Sequence, residues 1–167
     1  MTERLHARFP GSVGTVLQAY LYRTEADVER LLGQGIRIRL CKGAYNEGPE
    51  VAFPAKADVD ANFVTLMKRM VTYSHEGAGV FCGIATHDAA IVEEMLRFVR
   101  ERGIAKTAFE FQMLYGIRRD LQRQLVAEGF GVRVYVPFGT EWYPYFMRRL
   151  AERPANVLFL AKNFFKS

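Results

Sequence analysis

Cysteine is nearly absent from this sequence: Cys41 and Cys82 are the only two in 167 residues, and both lie inside apolar, strand-like runs. A disulfide-stapled secreted scaffold needs more, so the pair reads as buried thiols in a reducing compartment. No apolar run nears the roughly 18 residues of a membrane span. After Met1 comes Thr2-Glu3-Arg4-Leu5-His6, without the apolar stretch of a signal peptide. The expectation is therefore a cytoplasmic protein. Phosphate and metal signatures are missing as well, with no G-x-G-x-x-G, no P-loop, no H-E-x-x-H and no Cys/His ligand spacing. The histidines, His6, His75 and His87, are too scattered to suggest a metal site. Charge of one sign is also scarce. Lys and Arg number 23 against 18 Asp and Glu, a net charge of +5, which suits anionic small molecules, lipid or nucleic acid and selects none of them. Basic pairs such as Arg118-Arg119 sit on helical patterns interleaved with core residues, which argues against a nucleic-acid surface. What remains is 50% hydrophobic and 25% charged, without a linker or low-complexity tract. That is one globular domain.

Two periodicities alternate along it. Val13–Leu21, Ile36–Cys41, Val80–Ala85, Thr107–Gln112 and Val132–Val136 read as strands. Between and after them, Glu25–Leu32, Val59–Ser74, Ile91–Arg102, Arg118–Glu128 and Tyr143–Glu152 read as helices, with Gly103, Gly129 and Pro154 as stops. The apolar tail Asn156–Phe165 fits a sixth strand or a packed extension. Strand–helix pairs in series predict a parallel sheet with right-handed crossovers. Pattern and length alone favour an open, doubly wound α/β sheet over a (β/α)8 barrel, which needs eight strands and about 250 residues.

In either architecture ligands bind at the C-terminal strand ends, and here these ends carry polar or aromatic residues. They are Gln18-Ala19-Tyr20, Lys42-Gly43-Ala44-Tyr45, Thr86-His87-Asp88, Glu110-Phe111-Gln112 and Tyr135. Strand alternation separates Ile36, Ile38 and Leu40 from Arg37, Arg39 and Cys41. An arginine near the end of a central strand must lose water, which requires an acceptor: an internal glutamate or a bound ligand. Lys42 admits three readings, as a solvated strand-end lysine, a phosphate contact or a Schiff-base lysine of an aldolase-type barrel. Gly43-Ala44 permits close approach of a ligand to the backbone. On the last helix, Tyr145, Arg148, Arg149 and Glu152 fall within a sector of about 100°. Two guanidiniums on one stripe form either a solvated basic face or a bidentate carboxylate trap.

Taken together, LQAYL (17–21), RLCKGAY (39–45), ATHD (85–88), FEFQMLYGIR (109–118), RVYVPFG (133–139) and YFMRRLAERPANV (145–157) resemble the flavin-dependent proline dehydrogenases. The segments occur in that family's order, and Asn46-Glu47 with the loop to Pro54 is more similar to the short monofunctional bacterial enzymes. The resemblance implies a distorted (β/α)8 barrel of which this α/β chain is the C-terminal part, about strands four to eight. The first three strands, with a lysine and an aspartate near the substrate, are then expected in a missing N-terminal half, on the same or a separate chain. Asp88 departs from the asparagine that many members carry.

By the same resemblance, the chain oxidises L-proline to Δ1-pyrroline-5-carboxylate with FAD, and a quinone takes the electrons. Gln18 is implied at the isoalloxazine edge and Arg39 near flavin N5. Lys42, Gly43 and Ala44 are implied along the ribityl and phosphate region, Thr86 and His87 further along, and Glu110 and Gln112 toward the adenosine. Arg148 and Arg149 are implied to hold the proline carboxylate, Tyr135 and Tyr145 to pack its ring, and Glu152 to orient the arginines. A quinone acceptor also implies peripheral contact with the inner face of the cell membrane. The competing readings are a non-catalytic remnant that binds flavin or an amino acid, and the Lys42-dependent aldolase.

Overall fold

The structure, a computed structural model, describes residues 1–140 apart from Ala44, Asn46, Gly79 and Pro137. The expected helix Tyr143–Glu152 and the Asn156–Phe165 tail lie outside the described residues. Nearly all that is described belongs to one compact unit, Met1–Gly43 with Glu47–Tyr135. No helix among the described residues is long and apolar enough to cross a membrane.

Helix α1 (Thr2–Arg8) leads into strand β1 (Gly14–Gln18), helix α2 (Thr24–Leu32) and strand β2 (Arg37–Cys41). Helix α3 (Lys56–Tyr73), strand β3 (Cys82–Ala85), helix α4 (Ala89–Arg102), strand β4 (Phe109–Leu114), helix α5 (Arg119–Ala127) and strand β5 (Gly131–Tyr135) follow. Each strand–helix pair expected over this span is present, with shifted ends. Helix α1 buries no residue, so its polar sequence carries no periodic signal. Strand β1 stops three residues early because the Thr24 hydroxyl donates to the Gln18 carbonyl at 2.5 Å and the chain turns into α2. A single 3-10 turn at Lys106–Ala108 occupies the expected start of β4.

Helix α4 shows the local logic. Ile91, Val92, Met95, Leu96 and Val99 make one buried stripe. The Asp88 carboxylate accepts from the Ala90 N–H at 3.2 Å at the start. Gly103, at φ 62°, closes the end in the left-handed conformation that a side chain disfavours.

All five strands are parallel and hydrogen-bond in the order β1-β2-β3-β4-β5. A doubly wound sheet reverses its strand order and carries helices on both faces. This order never reverses, so the open doubly wound expectation is corrected: right-handed crossovers that always step the same way put every helix on one face. Burial agrees. Ile38, Leu40, Cys82, Ile84, Phe109, Phe111 and Met113 share one core with the apolar stripes of α2, α3, α4 and α5. Phe109, Phe111 and Phe130 pack with centroids 5.3–5.9 Å apart. Each such fully buried side chain stabilises the fold by about 1.5–3 kcal/mol.

The other face carries the alternate residues of the same strands. One row in register runs Val16, Arg39, Gly83, Glu110 and Gly131. The adjacent row holds Gln18 and Cys41 on β1 and β2, and Ala85, Gln112 and Arg133 on β3 to β5.

Candidate functional site

The polar face and the C-terminal strand ends hold the described residues singled out by sequence. Arg39 points onto the polar face. Its Nε donates to Gln112 Oε1 at 2.7 Å, and its guanidinium carbon lies 4.5 Å from the centre of the Tyr135 ring. The expected internal glutamate is close by yet bound elsewhere: Glu110 takes the Arg133 fork on both oxygens, Nη2 to Oε2 at 3.0 Å. Gln112 Nε2 donates to Glu110 Oε1 at 2.6 Å. Among the described residues no carboxylate pairs with Arg39. The Glu110 carboxylate holds the Arg133 guanidinium above its ordinary pKa.

Gly83 makes this crossing possible. Arg39 and Gln112 reach each other over β3, and a Cβ on Gly83 would stand 2.4 Å from Gln112 Nε2. A glycine inside a strand pattern signals such close approach, so this residue was findable from sequence although its purpose was not.

At the strand ends, Gln18 is half-buried, and its side-chain amide has no hydrogen-bonding partner among the described residues. Thr86 is buried, and its hydroxyl accepts from the Asp88 N–H at 3.1 Å. His87 Nε2 accepts from the Leu114 N–H at 2.8 Å, tying the end of β3 to β4. Gly43 adopts φ 108°, and a Cβ there would overlap the Tyr20 ring. The loop after β2 is strapped to the loop after β1, with Phe53 N–H on the Tyr20 carbonyl at 2.8 Å and Tyr22 edge-on to Phe53 at 4.7 Å.

Lys42 faces the other way. One residue past Cys41, it turns toward the helix layer, where its ammonium lies between Asp60 of α3 and Asp88, 2.8 Å from Asp88 Oδ2. Lys56 shares Asp60. Among the described residues, two cations and two carboxylates thus form a neutral cluster. Partial burial pushes both carboxyls up, but the Lys42 bond opposes it, helped by Lys56 at Asp60 and by the Ala90 N–H at Asp88, and both end below the ordinary range. A Schiff base needs a free amine lone pair, and an ammonium hydrogen-bonded to Asp88 and ion-paired with Asp60 presents none, so the aldolase reading loses its support. Lys56 and Asp60 were missed from sequence: Asp60 lies 18 positions from Lys42, and no spacing rule joins a strand end to the body of the following helix.

The structure therefore gathers Arg39, Glu110, Gln112 and Tyr135 on one face and sets Gln18, Thr86 and His87 at the strand ends. It sends the Lys42 side chain toward the helices. Ala44, Tyr145, Arg148, Arg149 and Glu152 lie outside the described residues.

Comparison with known proteins gives this geometry a context. The family model described as proline dehydrogenase matches residues 1–162. A proline dehydrogenase of Deinococcus radiodurans is 53% identical over 154 residues, covering 92% of this chain and 48% of its own length. Proline dehydrogenase 2 of Bacillus subtilis is 49% identical, covering 92% and 49%. The chain thus spans about half the length of these curated relatives. Among solved structures, proline utilization A from Corynebacterium freiburgense matches with a TM-score of 0.74 at 26% identity, over 90% of this chain and 18% of that one. The Bdellovibrio bacteriovorus protein, inactivated by N-propargylglycine, matches at 0.73 and 29%, over 82% and 16%. With its family model matched over nearly the full length, the chain belongs to the proline dehydrogenase family.

Proposed function

We propose that this chain supplies the C-terminal strands, about four to eight, of a (β/α)8 barrel that oxidises L-proline to Δ1-pyrroline-5-carboxylate with FAD. The sequential strand order with helices on one face supports the barrel reading, since such a sheet closes once further strands join its two edges. The observation that carries the functional reading is Arg39: a guanidinium on the polar face, held by a neutral amide and an aromatic ring, with no carboxylate partner among the described residues. That residue set fits a flavin.

Bound FAD would supply the acceptor for the hydride from proline C5. The chain's residues supply placement and charge. Arg39 sets a fixed cation where negative charge arrives, an interaction that needs no reorganisation during the reaction. Gln18 offers, at the edge of the same site, an amide without a partner among the described residues. The flat Tyr135 ring walls the space beside Arg39 and suits the apolar body of a pyrrolidine. Arg148 and Arg149 would grip the carboxylate by paired forks, Tyr145 would complete the ring contact and Glu152 would orient the pair. Gripping the carboxylate fixes C5 at one distance, which is the orientation part of the rate. Thr86, His87, Glu110, Gln112 and the Gly43-Ala44 backbone would shape the remaining cofactor surface, with Lys42 acting through its ion pairs. A membrane quinone as final acceptor, with peripheral membrane contact, completes the reading.

Titrating FAD into the purified chain should perturb the flavin's visible spectrum, and adding proline should bleach it. An Arg39→Met chain should bind FAD at least tenfold more weakly. A parent chain that leaves the FAD spectrum unchanged would overturn the reading.

A further inference from the structure

Arg39 and Glu110 stand in the same row of the polar face, with only Gly83 between them. Neighbouring strands are about 4.8 Å apart, so the two Cα positions are about 10 Å apart. Gly83 puts no side chain in the gap. A long guanidinium and a carboxylate in that relation ordinarily close into an ion pair. Here they do not. Arg133, one row further on, reaches back and occupies both Glu110 oxygens. Gln112, from the same strand as Glu110, gives Arg39 a neutral oxygen at 2.7 Å and turns its own NH2 to Glu110 at 2.6 Å. The Glu110 side chain is 11% exposed while Arg133 is 58% exposed. The carboxylate is thus cancelled by Arg133, and Arg39 is left whole.

We propose that Gln112 and Arg133 are positioning residues that sort charge on this face: Arg133 neutralises Glu110, Gln112 buttresses Arg39 with an uncharged oxygen, and Arg39 therefore presents a full positive charge to its ligand. The ligand's identity rests on the flavin reading above; the charge sorting does not. A carboxylate at position 112 would hold Arg39 equally well and would cancel it. An amide there is the choice that fixes the guanidinium without reducing its field.

Two measurements test this. Double-mutant cycles on urea unfolding of the full chain need no flavin. Arg39→Met with Gln112→Leu, and Glu110→Gln with Arg133→Met, should each show coupling of roughly fivefold in the unfolding constant. Arg39→Met with Glu110→Gln should show less than twofold, rising when Arg133→Met is added. Coupling of about fivefold or more between Arg39 and Glu110 in the parent background would overturn the proposal. That cycle decides the matter even if Arg133→Met fails to fold. The second measurement is the midpoint potential of FAD bound to the chain. Gln112→Glu should shift it to more negative values, because a cancelled Arg39 no longer favours the electron-rich reduced flavin. Gln112→Glu with an unshifted potential would also overturn it. A parent chain that binds no FAD, with the cycles as expected, would sink the flavin reading and leave the charge sorting standing.

Discussion

The two faces of this sheet are built from alternate residues of the same five strands, yet they obey different physics. On the helix face, Ile38, Ile84, Phe109 and Phe111 are at most 1% exposed and pack with each other and with four helices. Any apolar residue of similar volume serves there. On the polar face the central charged side chains are fixed by named partners: Arg39 by Gln112 and Tyr135, Glu110 by Arg133. Glycine at 83 and 131 keeps the neighbouring positions clear. The helix face carries stability, and the proposed chemistry falls on the polar face.

Phe111→Ala should break the helix face most severely. It removes a ring that is 0% exposed from the centre of the aromatic cluster and should cost about 3–5 kcal/mol by urea unfolding. Lys42→Met tests the boundary between the faces. It leaves Asp60 and Asp88, each about a quarter exposed, without their shared cation and should cost about 2 kcal/mol at pH 7. The sign of its pH dependence follows from the depressed carboxyls. Their contribution is complete above the unfolded value near 4 and is lost as pH falls through the lower folded values. The deficit of Lys42→Met against the parent should therefore shrink on acidification below about pH 4. Gly83→Ala acts on the polar face. Its methyl displaces the Gln112 amide from Arg39, for a stability loss near 1 kcal/mol but a clear loss of FAD affinity by spectral titration. The smallest effect is chemical. Burial pushes the Cys82 thiol up to about 12, whereas Cys41 is partly exposed on the polar face. A thiol reagent at neutral pH should label Cys41 in the native chain and Cys82 only in urea.

Periodicity made the strands and helices legible because each buries one face, and burial is what a pattern records. Helix α1, which buries nothing, left no such trace. Strand order was not legible: β1-β2-β3-β4-β5 and a reversed order share one local pattern, and only long-range pairing distinguishes them. Of the site, Arg39 was visible as an interior arginine in need of an acceptor, but its acceptor was not. Gln112 lies 73 positions away, and the nearer-seeming answer, Glu110, is taken by Arg133. Position at a strand end left Lys42 open to three readings, and its flavin contact came only from the family resemblance, while the two aspartates that hold it, Asp60 within α3 and Asp88 before α4, carry no sequence link to it.

The division between the faces is tested most directly by measuring FAD affinity and urea stability together in Arg39→Met and in Ile84→Val. The account predicts that Arg39→Met lowers FAD affinity at least tenfold with less than about 1 kcal/mol lost in stability, and that Ile84→Val loses about 1 kcal/mol with affinity unchanged. Equal losses of affinity in the two variants would contradict it.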